Sequence, residues 1–323
     1  MVVLFAAGCG SDGASDPLNG SGGAGGTAGS SAGGGGGTGG GTGGTATGGT
    51  GSGGTGTGGT AAGGTGGGGT GGSGNAGLDC SGTFGTPELL LSVDPPMDLG
   101  GPSITEDELE LFYSLDTGTG LASFVVTKRE SVSAAFPAAS PVPGVSGCST
   151  PFGTMDVSDD GLRLYYACWA DSSAPVSVEF ADRPDRASAF TPKGTVAMLG
   201  GSPAIDSLEL VLYSSGLSGG APLMAERESP LDEFGEATEI PGLATSTLVT
   251  PDASPDGLQL FGAQTGILGF VSRPNVDAPF GAFTPVPGLP DNSGAPAISA
   301  DCRSLYFVAR TPSGARAIYV AKR

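Results

Sequence analysis

The stretch Val157-Ser158-Asp159-Asp160-Gly161-Leu162-Arg163-Leu164-Tyr165-Tyr166 reads as two short antiparallel strands joined by an Asp-Gly turn. The same apolar, turn, apolar grammar returns four more times. Its first apolar residues are Ile104, Val157, Ile205, Ala253 and Ile298, at intervals of 45 to 53 by subtraction of those numbers. Seven residues after each stand Leu111, Leu164, Leu212, Leu260 and Leu305, each followed by an aromatic: Phe112, Tyr165, Tyr213, Phe261 and Tyr306. Three residues after the first apolar position comes Asp107, Asp160, Asp256 or Asp301, with Leu208 as the one exception. An aspartate in such a turn accepts bonds from local backbone N–H groups, so one per repeat reads as structure.

Each repeat then continues through an apolar run that ends in arginine, at Arg129, Arg183, Arg227, Arg273 and Arg323. Arginines repeated in this way are expected to bridge strands or blades. Seven residues beyond the first four lies Phe136, Phe190, Phe234 or Phe280, followed by a last short strand. In three repeats that strand ends in a Pro-Gly turn, Pro143-Gly144, Pro241-Gly242 or Pro287-Gly288. Four short strands per repeat and five repeats in tandem predict an all-β chain folded as a five-bladed β-propeller. The fifth repeat lacks a phenylalanine strand of its own, and a spare copy, Phe84-Gly85-Thr86-Pro87, stands at the other end. The N-terminal strand is therefore expected to complete the last blade and close the ring.

The segments Pro251–Phe261 (PDASPDGLQLF), Pro296–Phe307 (PAISADCRSLYF) and Ile318–Arg323 (IYVAKR) resemble the WD40-like repeats of TolB-type propellers. That resemblance runs over roughly residues 80 to 323 and implies the same fold. It leaves activity open, because propellers host many.

Met1 to Gly10 reads MVVLFAAGCG and resembles the end of a bacterial lipoprotein signal, with Ala6-Ala7-Gly8 before Cys9 and alanine where that family usually has leucine. The resemblance implies lipidation at Cys9, membrane attachment through a lipid anchor only, and an extracytoplasmic site in a bacterial envelope, at the outer membrane or cell surface. From about Gly13 to Gly77 the chain is almost entirely Gly, Thr, Ser and Ala, with no charged residue between Asp16 and Asp79. It has too little apolar surface to offset its ordering entropy. The expected organisation is a truncated lipoprotein-type signal over 1–8, a disordered Gly-rich linker over 9–78 and the propeller over 79–323.

Charge and composition narrow the chemistry. Net charge is −19, from 13 basic and 32 acidic residues, with no basic cluster to neutralise phosphates, so nucleic acid is not an expected partner. The chain has no histidine, which excludes Ser-His-Asp and Cys-His mechanisms and His-ligated metals. Beside Cys9 there are four cysteines. Their places in the blades pair Cys148 with Cys168 in blade two and Cys80 with Cys302 in blade five, the second stapling the ring closed.

Asp156 and Asp252, each one residue before the first apolar residue, or anchor, of the repeats that form blades two and four, stand where the other blades have Ser103, Ala204 and Ala297. On innermost strands they would face each other across the channel. A pair of carboxylates about 6.5–9.5 Å apart suits an inverting glycosidase, and carboxylates with carbonyl oxygens suit Ca²⁺. The single tryptophan, Trp169, is a candidate anchor for a partner or glycan. The expected function is a non-catalytic, monomeric binding or scaffold module without a required cofactor, its partner an envelope protein or a cell-wall polysaccharide. A glycan-acting enzyme or a Ca²⁺-dependent glycan binder, with its site at Asp156 and Asp252, is the alternative.

Overall fold

A computed structural model of the protein describes residues 80, 82–94, 97–117, 122–145, 154–168, 176–216 and 220–323, the side chains of 197–199 excepted. Cys9, Cys148 and Trp169 lie outside the described residues, and with them the lipidation site, the Cys148–Cys168 pairing and the tryptophan anchor.

A first strand, β1 (Glu88–Leu91), precedes the repeats. Blade one is β2 (Asp98–Ile104), β3 (Glu110–Asp116), β4 (Ala122–Lys128) and β5 (Ser140–Pro141). Blade two is β6 (Met155–Val157), β7 (Arg163–Cys168), β8 (Ser177–Asp182) and β9 (Thr191–Leu199). Blade three is β10 (Gly201–Ile205), β11 (Val211–Ser215), β12 (Leu223–Glu226) and β13 (Thr238–Glu239). Blade four is β14 (Val249–Ala253), β15 (Gln259–Gln264), β16 (Ile267–Ser272) and β17 (Thr284–Pro285). Blade five is β18 (Gly294–Ile298), β19 (Ser304–Arg310) and β20 (Arg316–Lys322), with β1 as its outer strand. The first strand of each blade touches that of the next, β2 to β6 to β10 to β14 to β18 and back to β2, so the five antiparallel sheets close into a ring.

The turn between a blade's first two strands is built by its own side chains. In blade two Ser158 Oγ donates to Asp160 Oδ1 at 2.7 Å and accepts from the Arg163 N–H at 2.9 Å. Asp160 Oδ1 also accepts from the Leu162 N–H at 2.8 Å. Thr105 with Asp107, Ser254 with Asp256 and Ser299 with Asp301 repeat the arrangement. Blade three breaks the pattern at Leu208 without losing the turn. Asp206, standing where the others have Ser or Thr, accepts from both the Leu210 and Val211 N–H groups, at 2.6 and 2.8 Å.

The repeated arginine and phenylalanine form one unit in every blade. Each guanidinium lies over its ring, at 4.4 Å for Arg129 and Phe136, 4.6 Å for Arg183 and Phe190, and 4.2 Å for Arg227 and Phe234. Arg273 over Phe280 is at 4.5 Å, and Arg323 over Phe84, the copy supplied from the other end of the chain, at 4.3 Å. In the four blades formed without β1, Nε also donates to a carbonyl of the blade's turn, from Arg129 to Glu108, Arg183 to Gly161, Arg227 to Glu209 and Arg273 to Gly257. Where the preceding blade carries a tyrosine, the guanidinium reaches it. Arg227 donates to the Tyr165 hydroxyl at 3.0 Å and Arg273 to that of Tyr213 at 3.3 Å. A ring beneath the cation and a carbonyl at Nε make each of these four arginines a strut between the strands of its blade, and the tyrosine bonds carry Arg227 and Arg273 across to the blade before.

The core is divided among the gaps between blades. Where blades one and two meet, Phe112, Val126 and Val142 pack on Val157, Tyr166 and Phe190. The Pro-Gly turns help to seal such gaps. The Phe190 N–H donates to the Pro143 carbonyl and the Phe280 N–H to the Pro241 carbonyl, each at 2.9 Å. Gly144 and Gly242 have φ of 84° and 89°. A Cβ at either would strike the carbonyl oxygen of Phe190 or Phe280, so only glycine fits both the turn and the approach.

Ring closure follows the sequence reading. β1 pairs antiparallel with β20, Glu88 opposite Val320 and Leu89 opposite Tyr319. The Gly85 N–H donates to the Lys322 carbonyl at 2.7 Å, and Cys80 and Cys302 form a disulfide.

Candidate functional site

The innermost strands bring Asp156 and Asp252 to the channel. Both line a cavity of about 30 Å³ with Asp159, Ser103 and Ser207, and both line a second cavity, of about 10 Å³, among Pro102, Pro203, Pro251 and Pro296. They therefore stand at the waist between the two.

Their oxygens are engaged by neighbouring blades. Ser103 Oγ accepts from the Val157 N–H at 2.9 Å and donates to Asp156 Oδ1 at 2.7 Å, while Asp156 Oδ2 accepts from the Ile205 N–H at 2.7 Å. This relay ties blades one, two and three. Asp252 Oδ2 accepts from the Ile298 N–H at 2.7 Å, tying blade four to blade five. In each case the residue before one anchor accepts from the N–H of the next blade's anchor, a role that serine fills in blade one.

Burial pushes the carboxyl of Asp156 up from its ordinary range, against three hydrogen bonds that lower it. Burial also pushes Asp252 well above that range, and the Asp156 carboxylate adds to the effect. Asp159, at the channel mouth, rises to about 7 through burial first, then the charges of Asp156, Glu106, Asp160 and Asp206. The three acids thus hold protons at pH values where surface carboxylates are ionised. Among the described residues, no three His, Cys, Asp or Glu side chains are placed to hold a metal ion, so the acids offer no ready Ca²⁺ cage.

A much larger space lies elsewhere. Between blades two and three a cleft of about 370 Å³ is lined on one side by Tyr165, Phe180 and Lys193 and on the other by Arg227, Leu231 and Phe234. Tyr165 and Phe180 are stacked at 6.2 Å and 29°, and Phe234 meets Tyr165 edge-on at 6.2 Å. Arg163 closes one end, its Nε and Nη2 on the Asp182 carboxylate at 2.6 and 3.1 Å and its Nη1 on Glu209 at 3.2 Å. The sequence signal for this cleft is an omission. Val196 matches Val142, Ile240 and Val286, but Ala197-Met198 follow it where the other three repeats have Pro-Gly. The strand therefore runs on to Leu199 instead of turning, and β9 has nine residues where β5, β13 and β17 have two.

The sequence matches no family model and no curated protein. Solved structures share the fold. A GH43_1 enzyme from Xanthomonas citri superposes with a TM-score of 0.56 at 14% identity, over 72% of this chain and 91% of that one. The RS223 β-xylosidase gives 0.52 at 13% identity, over 73% and 94%. TolB from Acinetobacter baumannii gives 0.42 at 11% identity, over 70% of this chain and 54% of its own. At such identities the likeness to the two glycosidases is one of fold alone.

Proposed function

We propose that this propeller is a non-catalytic binding or scaffold module of a bacterial cell envelope, lipid-anchored through Cys9 and presented on the Gly-rich segment 9–78. The observation that carries the reading is the state of the channel. Asp156 accepts on both oxygens, Asp252 accepts from the next blade, and the cavity on their wider side is about 30 Å³. That is room for a few water molecules at most, whereas ligand pockets occupy roughly 300–1,000 Å³. A sugar ring does not reach the paired acids without separating the blades that they join.

A carboxylate-dependent glycan-acting enzyme is the second reading. Two neighbouring acids with raised pKa favour it, since such pairs often mark catalytic sites. The two readings separate on incubation of the full chain with xylan, arabinan and β-glucan, followed by assay of new reducing ends and by thermal shift. The module reading expects no turnover, and a ligand-induced stabilisation that survives Asp156→Asn with Asp252→Asn. Turnover that disappears in the double variant overturns it.

A further inference from the structure

The gap between blades two and three differs from the other four. Among the described side chains its buried apolar cluster consists of Tyr165, Val178, Val196, Ile205, Leu212 and Ala225. Of the five phenylalanines under the repeated arginines, Phe84, Phe136, Phe190 and Phe280 are buried, and Phe234 alone is only half-buried. No Pro-Gly turn crosses to Phe234, and on β9 the position opposite Phe180 is Gly194, with no side chain to cover the ring. The sealing parts used elsewhere are missing together at one place, and the cleft of about 370 Å³ lies there. That volume falls in the range of small-ligand sites.

We propose that this cleft is a binding site for a neutral sugar ring of an oligosaccharide. The proposal rests on the module reading above and names its site and ligand class. Aromatic rings line both walls, Phe180 from blade two with Arg163 over it at 5.4 Å and Phe234 from blade three with Arg227 over it at 4.2 Å, and the apolar surface they still present to the cleft suits the C–H groups of a pyranose. Around them stand groups for hydroxyls. Lys193 and Glu233 take part in no ion pair among the described residues and offer a donor and an acceptor at the rim. The deeper cations are already compensated, Arg163 by Asp182 and Glu209 and Arg227 by Glu209. An anionic ligand would meet Asp232 and Glu233 at the rim of a chain of net charge −19, and a cationic one would meet Lys193 beside two guanidiniums. A ligand rich in hydroxyls and without net charge meets neither obstacle.

Calorimetric titration of the full chain with xylohexaose, cellohexaose and maltohexaose tests this. One of the three binds with a stoichiometry of one. Phe234→Ala weakens it at least tenfold, and Phe234→Trp, which keeps a ring at that wall, retains it. Leu231→Asp is the variant that leaves the fold untouched, because Leu231 is 93% exposed at the rim, and it weakens binding severalfold. Absence of binding by all three sugars overturns the proposal, as does binding that Phe234→Ala and Leu231→Asp both leave unchanged. Binding lost only in Asp156→Asn with Asp252→Asn places the sugar in the channel, which overturns the cleft and spares the module. Release of shorter sugars during the titration overturns the module reading itself.

Discussion

Replacing Cys80 by serine removes the covalent link between the strand that closes the ring and the blade it completes. The disulfide joins residues 222 apart, and the loop-entropy relation puts the freedom it withholds from the unfolded chain at about 5 kcal/mol. The native ties that remain are β1 on β20, Phe84 under Arg323 and the Gly85 N–H on Lys322, so the folded ring persists and the loss lies in the unfolded state. For a domain of this size 1 kcal/mol moves the midpoint by ~2–4 °C, so the full entropic effect lowers Tm by about 10–20 °C. In guanidinium titrations the midpoint falls and m rises modestly, because the unlinked chain exposes more surface. Cys302→Gly removes the same bond but is milder. Cys302 has φ of 58° at the turn position that Gly161 and Gly257 fill with φ of 76° and 67°. Relief of a non-glycine in that region returns about 1 kcal/mol. A loss below about 1 kcal/mol in Cys80→Ser would refute the reasoning and leave ring closure to β1 alone.

The channel acids make stability depend on pH. Asp156, Asp159 and Asp252 have raised pKa values in the folded state, so they hold protons there that the unfolded chain releases, and their stabilisation is lost as pH rises from about 4 through about 7. The melting temperature should be higher at pH 5 than at pH 8, and Asp156→Asn with Asp252→Asn should flatten the difference; an unchanged slope contradicts the assignment. Arg183→Ala strips Glu110 of its 2.6 Å partner at a site where both side chains are buried, and should cost ~3 kcal/mol or more in chemical denaturation. Asp206→Ala removes the carboxylate oxygen that accepts from both the Leu210 and Val211 N–H groups of the blade-three turn and should cost about 1–2 kcal/mol, more than Asp301→Ala, which leaves the Ser299 hydroxyl in place.

The fold was legible because its signals are local and repeated. A Ser or Thr two residues before an aspartate fixes a turn within a span of six residues, and four such turns, with a fifth built on Asp206, in register with an aromatic and an arginine admit few architectures. Even the exception at Leu208 carried its explanation, since Asp206 two residues earlier does the work of both missing groups. The Cys80–Cys302 pairing followed once the blades were counted, because the offset Phe84 put the first cysteine beside the last blade. What no local pattern gives is the partner of a channel residue. Asp156 meets the Ile205 N–H 49 positions on, and Asp252 meets that of Ile298 46 positions on, through the spacing of blades around the ring. Identity at those positions suggested catalysis, while neighbouring backbone decided their bonding.

Repetition and its breaks carry different information in such a ring. A side chain present in all five blades can do only what five equivalent places allow, and the Arg–Phe pairs accordingly serve the scaffold. A binding site for one ligand has to break the fivefold pattern. The acids of blades two and four are one break, but serine at residue 103 performs the same inter-blade acceptance, so their carboxylates are variants of a structural position. The other break, at the end of β9, costs the fold something. It removes the turn that meets the next blade's phenylalanine at Phe190 and Phe280, and Phe234 is left half-exposed. Burying such a ring would contribute roughly 1.5–3 kcal/mol, so a gap left open between otherwise sealed blades is stability forgone at one place. A ligand that covers Phe180 and Phe234 recovers part of that energy on binding, which makes this gap, rather than the channel, the place where occupancy and stability should be coupled.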